Sequence, residues 1–125
     1  MGKDYGMELI LDLHKCDVST FNRKSIKKYL KKLCDEVIFM EREALHWWDY
    51  HGVPEEEQPK EVHLRGTSVV QFIKTSNIVI HTLDLLGNIY INIFSCKPFD
   101  PDKAREFTAD YFKGKVQHIK VVRRK

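Results

Sequence analysis

Four side chains stand out by type and spacing: Ser68, Ser76, His81 and Cys96. Ser76 follows Thr75 in a tight connection between two strand-like segments, where a backbone can be strained and a hydroxyl can reach the neighbouring carbonyl. His81 lies five residues on and Cys96 twenty residues on, at the end of the next strand-like segment. Together they offer a nucleophile, a proton carrier and a second acid. A meander would let them converge on one pocket. On spacing alone such a set is more often incidental than functional, since Ser, His and Cys fall near one another by chance.

Other chemistries find less support. The six histidines (His14, His46, His51, His63, His81, His118) show no HExxH and no ligand spacing with cysteine, so no metal is expected. Phosphate-binding glycine loops are absent. The three cysteines form no CxxC pair, which points to a reducing, cytoplasmic setting without disulfides. Cys16 and Cys34 read as packing residues. Trp47, Trp48 and Tyr50 are candidates to stack on a ligand, or to serve as core or interface aromatics. The net charge of +3 gathers at Arg23–Lys32 and Arg123–Lys125, a solvated helix face and a tail, so no nucleic-acid partner is expected. No apolar run approaches the ~18–20 residues of a membrane span, and acids interrupt the first apolar stretch, so neither membrane nor signal peptide is expected.

The elements that must position these residues can be read in order. Met7–His14 alternates as a half-buried strand. Ile26, Tyr29, Leu30, Leu33 and Val37 recur at helical spacing. Val37–Met40 favours a strand leading towards Trp48, and 51–60, with its prolines and three glutamates, reads as an exposed loop. Strands are predicted at 68–74, 77–83 and 88–95. Asp100-Pro101 opens a second helix that Gly114 stops, and Val116–Val122 is a last strand. The order β-α-β-loop-β-β-β-α-β predicts an α+β, two-layer sandwich: a mainly antiparallel sheet with two helices on one face, in one domain over 1–125.

The segment Lys74-Thr75-Ser76-Asn77-Ile78-Val79-Ile80-His81-Thr82, followed by Ile89–Cys96, resembles the core of the small prokaryotic S-adenosylmethionine decarboxylase proenzymes. That family has Ser-His-Leu-x-Ile-His-Thr and then a strand ending in Phe-Thr-Cys. The Ser76-to-His81 and Ser76-to-Cys96 spacings match, and Ser68 stands eight residues before Ser76, where the family has a second serine. Glu8–Asp17 resembles the family's first strand.

The resemblance implies a pyruvoyl-dependent decarboxylase that cuts itself between Thr75 and Ser76 into fragments 1–75 and 76–125. Ser76 would become the pyruvoyl cofactor and take the substrate's α-amine as a Schiff base. His81 would assist processing, Ser68 would help stabilise its intermediate, and Cys96 would protonate the product at Cα. The implied substrate is S-adenosylmethionine, for polyamine (spermidine) synthesis, and the implied assembly is a homodimer with the site near its interface. The chain departs from the pattern at three places. Thr75 replaces a usual Glu, and Asn77 a usual His. Leu83-Asp84-Leu85 stands where the family has Trp-Pro-Glu, the Glu binding ribose hydroxyls, and a leucine cannot accept those bonds. Arginine or ornithine is therefore the alternative substrate, and an uncleaved ligand- or partner-binding relative is the reading of another class.

Overall fold

In the computed structural model, which describes residues 4–49, 53–61 and 64–125, the alternation that begins at Met7 becomes strand β1, Gly6–His14. It buries Met7, Leu9, Leu11 and Leu13 and leaves the residues between them half-buried. Five further strands join it: β2 (Arg42–Asp49), β3 (Thr67–Ile73), β4 (Ser76–Leu83), β5 (Asn88–Ser95) and β6 (Lys115–Arg124). Their spatial order is β2-β3-β4-β5-β1-β6, with every neighbouring pair antiparallel. The meander β3-β4-β5 places three consecutive strands side by side, as expected.

Two helices cover one face, which makes the α+β, two-layer arrangement predicted from the sequence. Helix α1 (Arg23–Lys32) starts at Asn22, whose side chain accepts from the Ser25 N–H, and buries Ile26, Tyr29 and Leu30. Helix α2 (Pro101–Phe112) starts at Asp100, with proline in its first turn. Lysines on α1 face solvent. The core lies between these helices and the inward rows of the sheet, among them Leu11, Ile80, Ile91 and Ile93. The other sheet face carries Ile10, Val70, Val79 and Phe94 among polar side chains, and among the described residues no helix lies on it.

Two local expectations are corrected. Val37–Met40 is not a strand: α1 runs on into a π-helical turn, Leu33–Val37, and Ile38 and Met40 then fold into the core. Phe39 between them is exposed at φ +54°. The strand begins only at Arg42. Helix α2 ends at Lys113, which takes the left-handed conformation at φ +53°, rather than at Gly114. Gly114 is needed for room instead, since a Cβ there would lie 2.5 Å from Cys16 Sγ. The described part of the 51–60 loop, from Val53, holds one short turn at Glu55–Glu57 and is mostly exposed.

Besides the part-buried bond from the Tyr111 hydroxyl to the Ser25 carbonyl, a fully buried polar pair joins the two helices. Tyr29 is fully buried, and its hydroxyl lies 2.7 Å from Thr108 Oγ1. Thr108 donates to the Ala104 carbonyl, so Tyr29 must donate to Thr108. Thr108→Val orphans the buried phenol and should destabilise the fold by about 1–3 kcal/mol, whereas Tyr29→Phe should cost about 1 kcal/mol. Urea unfolding of both variants checks this order.

Candidate active site

The β3–β4 hairpin turns in two residues. Ile73 pairs with Ser76, which leaves Lys74 and Thr75 as the connection. Thr75 sits at φ +58°. A β-branched side chain there crowds the backbone and costs about 1–3 kcal/mol unless its surroundings hold it. Thr75 Oγ1 lies 2.7 Å from the Lys74 carbonyl oxygen and 2.8 Å from Cys96 Sγ. Thus the strained residue occupies one side of the Thr75–Ser76 bond.

Ser76 occupies the other side, and it is buried. Its Oγ accepts from the Cys96 backbone N–H at 2.8 Å, so β5 grips the first residue of β4 by its hydroxyl. Strand β1 closes against this point at Gly6, because a Cβ there would collide with the Ser95 carbonyl oxygen and the Cys96 Cα. Ser76 and Cys96 are therefore brought together, with Thr75 across the top. Hydrogen bonds from the Thr75 and Ser76 side chains hold the Cys96 thiol below its ordinary pKa, and the Lys97 charge adds to this. Burial acts oppositely on the other two cysteines, pushing Cys16 up to about 11 and Cys34 up to about 12. Cys96 is thus the thiol suited to proton exchange.

Cys96 opens on two sides. A cavity of about 480 Å³ is lined by Phe39, Met40, Glu41, Lys74, Thr75, Cys96 and Lys97. A second, of about 330 Å³, is lined by Asp4, Tyr5, Gly6, Met7, Cys96, Pro98 and Arg123. Of these residues only Thr75 and Cys96 were singled out from the sequence as site residues. The pairing of two lysines with the turn and with Cys96 was the available signal for Lys74 and Lys97. Nothing in the sequence pointed to Phe39, Glu41 or Arg123.

Ser68 and His81 form a separate pair. They are direct partners across β3 and β4, with Ser68 Oγ 2.7 Å from His81 Nδ1. The structure does not bring this pair to Ser76 within one chain. Five strand residues at ~3.3 Å each separate Ser76 from His81 by about 16 Å. An odd spacing also turns them to opposite faces: Ser76 is on the helix side, and His81 is half-buried on the open side. The open face also carries Trp48, opposite Ser68, and Phe72, both exposed. Trp47 packs on the helix side, with the Arg23 guanidinium 5.5 Å above its ring. Tyr50, His51 and His63 lie outside the described residues.

Leu85 is exposed in the β4–β5 turn, at the end of the sheet away from Ser76 and Cys96. The Asp84 carboxylate beside it accepts from the Thr82 hydroxyl at 2.8 Å. Among the described residues no three His, Cys, Asp or Glu side chains gather as a metal site, and no helix is long and apolar enough to cross a membrane.

Comparison with known proteins gives this geometry a family. A search of curated protein sequences found no significant match. Among solved structures, the adenosylmethionine decarboxylase of Aquifex aeolicus VF5 is similar, with 19% identity, a TM-score of 0.72, and coverage of 98% of this chain and 92% of that one. At that identity the likeness shows the fold. The family model for S-adenosylmethionine decarboxylase matches residues 7–125, nearly the full length. This chain, with Ser76 and Cys96 joined at one end of its antiparallel sheet, belongs to the S-adenosylmethionine decarboxylase family.

Proposed function

We propose that the chain is a self-processing proenzyme that decarboxylates S-adenosylmethionine, feeding polyamine synthesis. The observation that carries this reading is the hydrogen bond from the Cys96 N–H to Ser76 Oγ, directly after a left-handed Thr75. The Ser76 hydroxyl attacks the Thr75 carbonyl carbon. The peptide C–N bond breaks and an ester forms, which relieves the turn. A base removes the Ser76 Cα proton, the Cβ–Oγ bond breaks, and the oxygen leaves as part of a new Thr75 carboxylate. Because Cys96 N–H already holds that oxygen, it stabilises the charge as it develops. The unsaturated residue left at 76 takes up water and loses ammonia, leaving a pyruvoyl group.

The residues present fit such a group. Ser76 begins a strand, Cys96 is beside it, and two cavities open there. The pyruvoyl carbonyl supplies the site for the substrate's α-amine and the electron sink for loss of carbon dioxide. Cys96, with its lowered pKa, returns a proton to Cα. The Ser76→Ala chain should stay whole on a denaturing gel while the wild type resolves into two pieces. Cys96→Ala should still cleave, with turnover reduced about 10²–10⁴-fold.

The distance from Ser76 to the Ser68–His81 pair favours a homodimer in which each copy completes the other's site. Its contact would run over the bare sheet face, which carries His81, Val79, Phe72 and Trp48, to the strand end where the two cavities open beside Ser76. In this arrangement the His81 imidazole and Ser68 hydroxyl of a second copy serve the proton transfers of processing at Ser76. Mixing decides it. A Ser76→Ala chain and a His81→Ala chain, each uncut alone, should together give a cleaved His81→Ala chain. Failure of the mixture to cleave contradicts action between copies.

The turn at Leu85 favours a second reading of the substrate. With Leu85 in place of a carboxylate and Asp84 engaged by Thr82, one charge-assisted contact to a ribose is missing, worth ~1.5–3 kcal/mol. The same machinery would then act on arginine or ornithine. Carbon dioxide release from the three amino acids, side by side, separates the readings. S-adenosylmethionine should be consumed, and about tenfold or more faster in Leu85→Glu. Release from arginine or ornithine alone favours the second reading.

A further inference from the structure

We infer that Thr75 is a positioning residue for Cys96: its hydroxyl bonds the Cys96 sulfur in both protonation states and favours the thiolate. The bond is that of the uncut chain, and its bearing on catalysis rests on the function proposed above. The geometry does not.

Thr75 Oγ1 is within reach of two acceptors, the Lys74 carbonyl oxygen at 2.7 Å and Cys96 Sγ at 2.8 Å. A hydroxyl has one hydrogen and two lone pairs. When Cys96 is a thiol, Thr75 donates to the Lys74 carbonyl and accepts the S–H. When Cys96 is a thiolate, which only accepts, the Thr75 hydrogen rotates to the sulfur in a charge-assisted bond. Neither state moves the backbone, because both partners are already in range. The left-handed backbone at φ +58° is what aims this side chain across the hairpin to the end of β5.

The charged and titratable groups around the sulfur are few. Glu41, Lys74 and Lys97 line the cavity on one side, and Asp4, Tyr5 and Arg123 line the other. Of these, Lys97 draws the thiol pKa down, by less than the Thr75 hydroxyl does. The residue type is informative. A glutamate, usual here in the proenzymes this chain resembles, is acceptor-only when ionised and would oppose the thiolate. Threonine supplies a donor. In the uncut chain the Thr75 hydroxyl therefore brings ionisation of the Cys96 thiol to lower pH.

The test uses the full-length Ser76→Ala chain, which cannot cut itself, with iodoacetamide as probe and the Cys96 peptide read by mass spectrometry across pH. Cys16 and Cys34, pushed up to about 11 and about 12, stay unreactive near neutrality, and an unmodified Cys34 reports an intact core. Thr75→Val keeps the shape without the hydroxyl. Thr75→Gly also lacks it and suits the left-handed turn, so at least one hydroxyl-free variant keeps the hairpin. Both should slow Cys96 alkylation near neutral pH about three- to tenfold, the size of one hydrogen bond, and move the profile to higher pH. Thr75→Ser should restore it. An unchanged profile in the variants without a hydroxyl, or no rescue by serine, overturns the inference. Because this chain is uncut by design, absence of self-cleavage in the wild type would count against the proposed function alone.

Discussion

A β-branched residue held at φ +58° in a two-residue turn is costly, and the arrangement around the Thr75–Ser76 bond depends on what holds it there. The holding is done from β5. Cys96 presents its backbone N–H to Ser76 and its sulfur to Thr75, so both residues of the bond are tied to one partner. That is possible only because β4 and β5 are paired in a fixed register, with Asn77 opposite Phe94, and because Gly6 lets β1 close against the same strand end. The strain is thus paid by the whole sheet, and it lies where bond breaking would release it.

The same sheet explains why the chemistry is divided. Strand residues alternate faces, so Ser76 is turned to the helix-covered side, at the strand end, while Ser68 and His81 are turned to the other. One face is sealed by α1, α2 and the Tyr29–Thr108 pair. The other keeps a half-apolar surface around a Ser–His pair. The homodimer proposed above would use this bare face, and it would bring the two separated sets of side chains together.

Much of this was legible in the residues. The alternation in Met7–His14 identified a strand because one face is buried and the other is not, and Asp100-Pro101 announced a helix through its capping chemistry. Val37–Met40 misled because an apolar run carries no period. Its residues serve the core at a helix end, and only the backbone shows the π turn. The nearness of Ser76 and Cys96 followed from the meander. Within one chain Ser68 and His81 stand apart from Ser76, and the odd Ser76-to-His81 spacing already placed those two on opposite faces. The cavity residues Phe39, Glu41 and Arg123 come from distant elements, and no local pattern announces such neighbours.

Self-processing requires the conversion of Ser76, and the most direct measurement is the mass and end-group of the fragment 76–125 from purified wild-type protein. The converted fragment should be lighter by one ammonia than the peptide beginning with Ser76, without a free amino terminus and reactive towards a hydrazide. A single chain of 14.8 kDa, or a fragment that begins with an ordinary serine amine, would contradict this conversion.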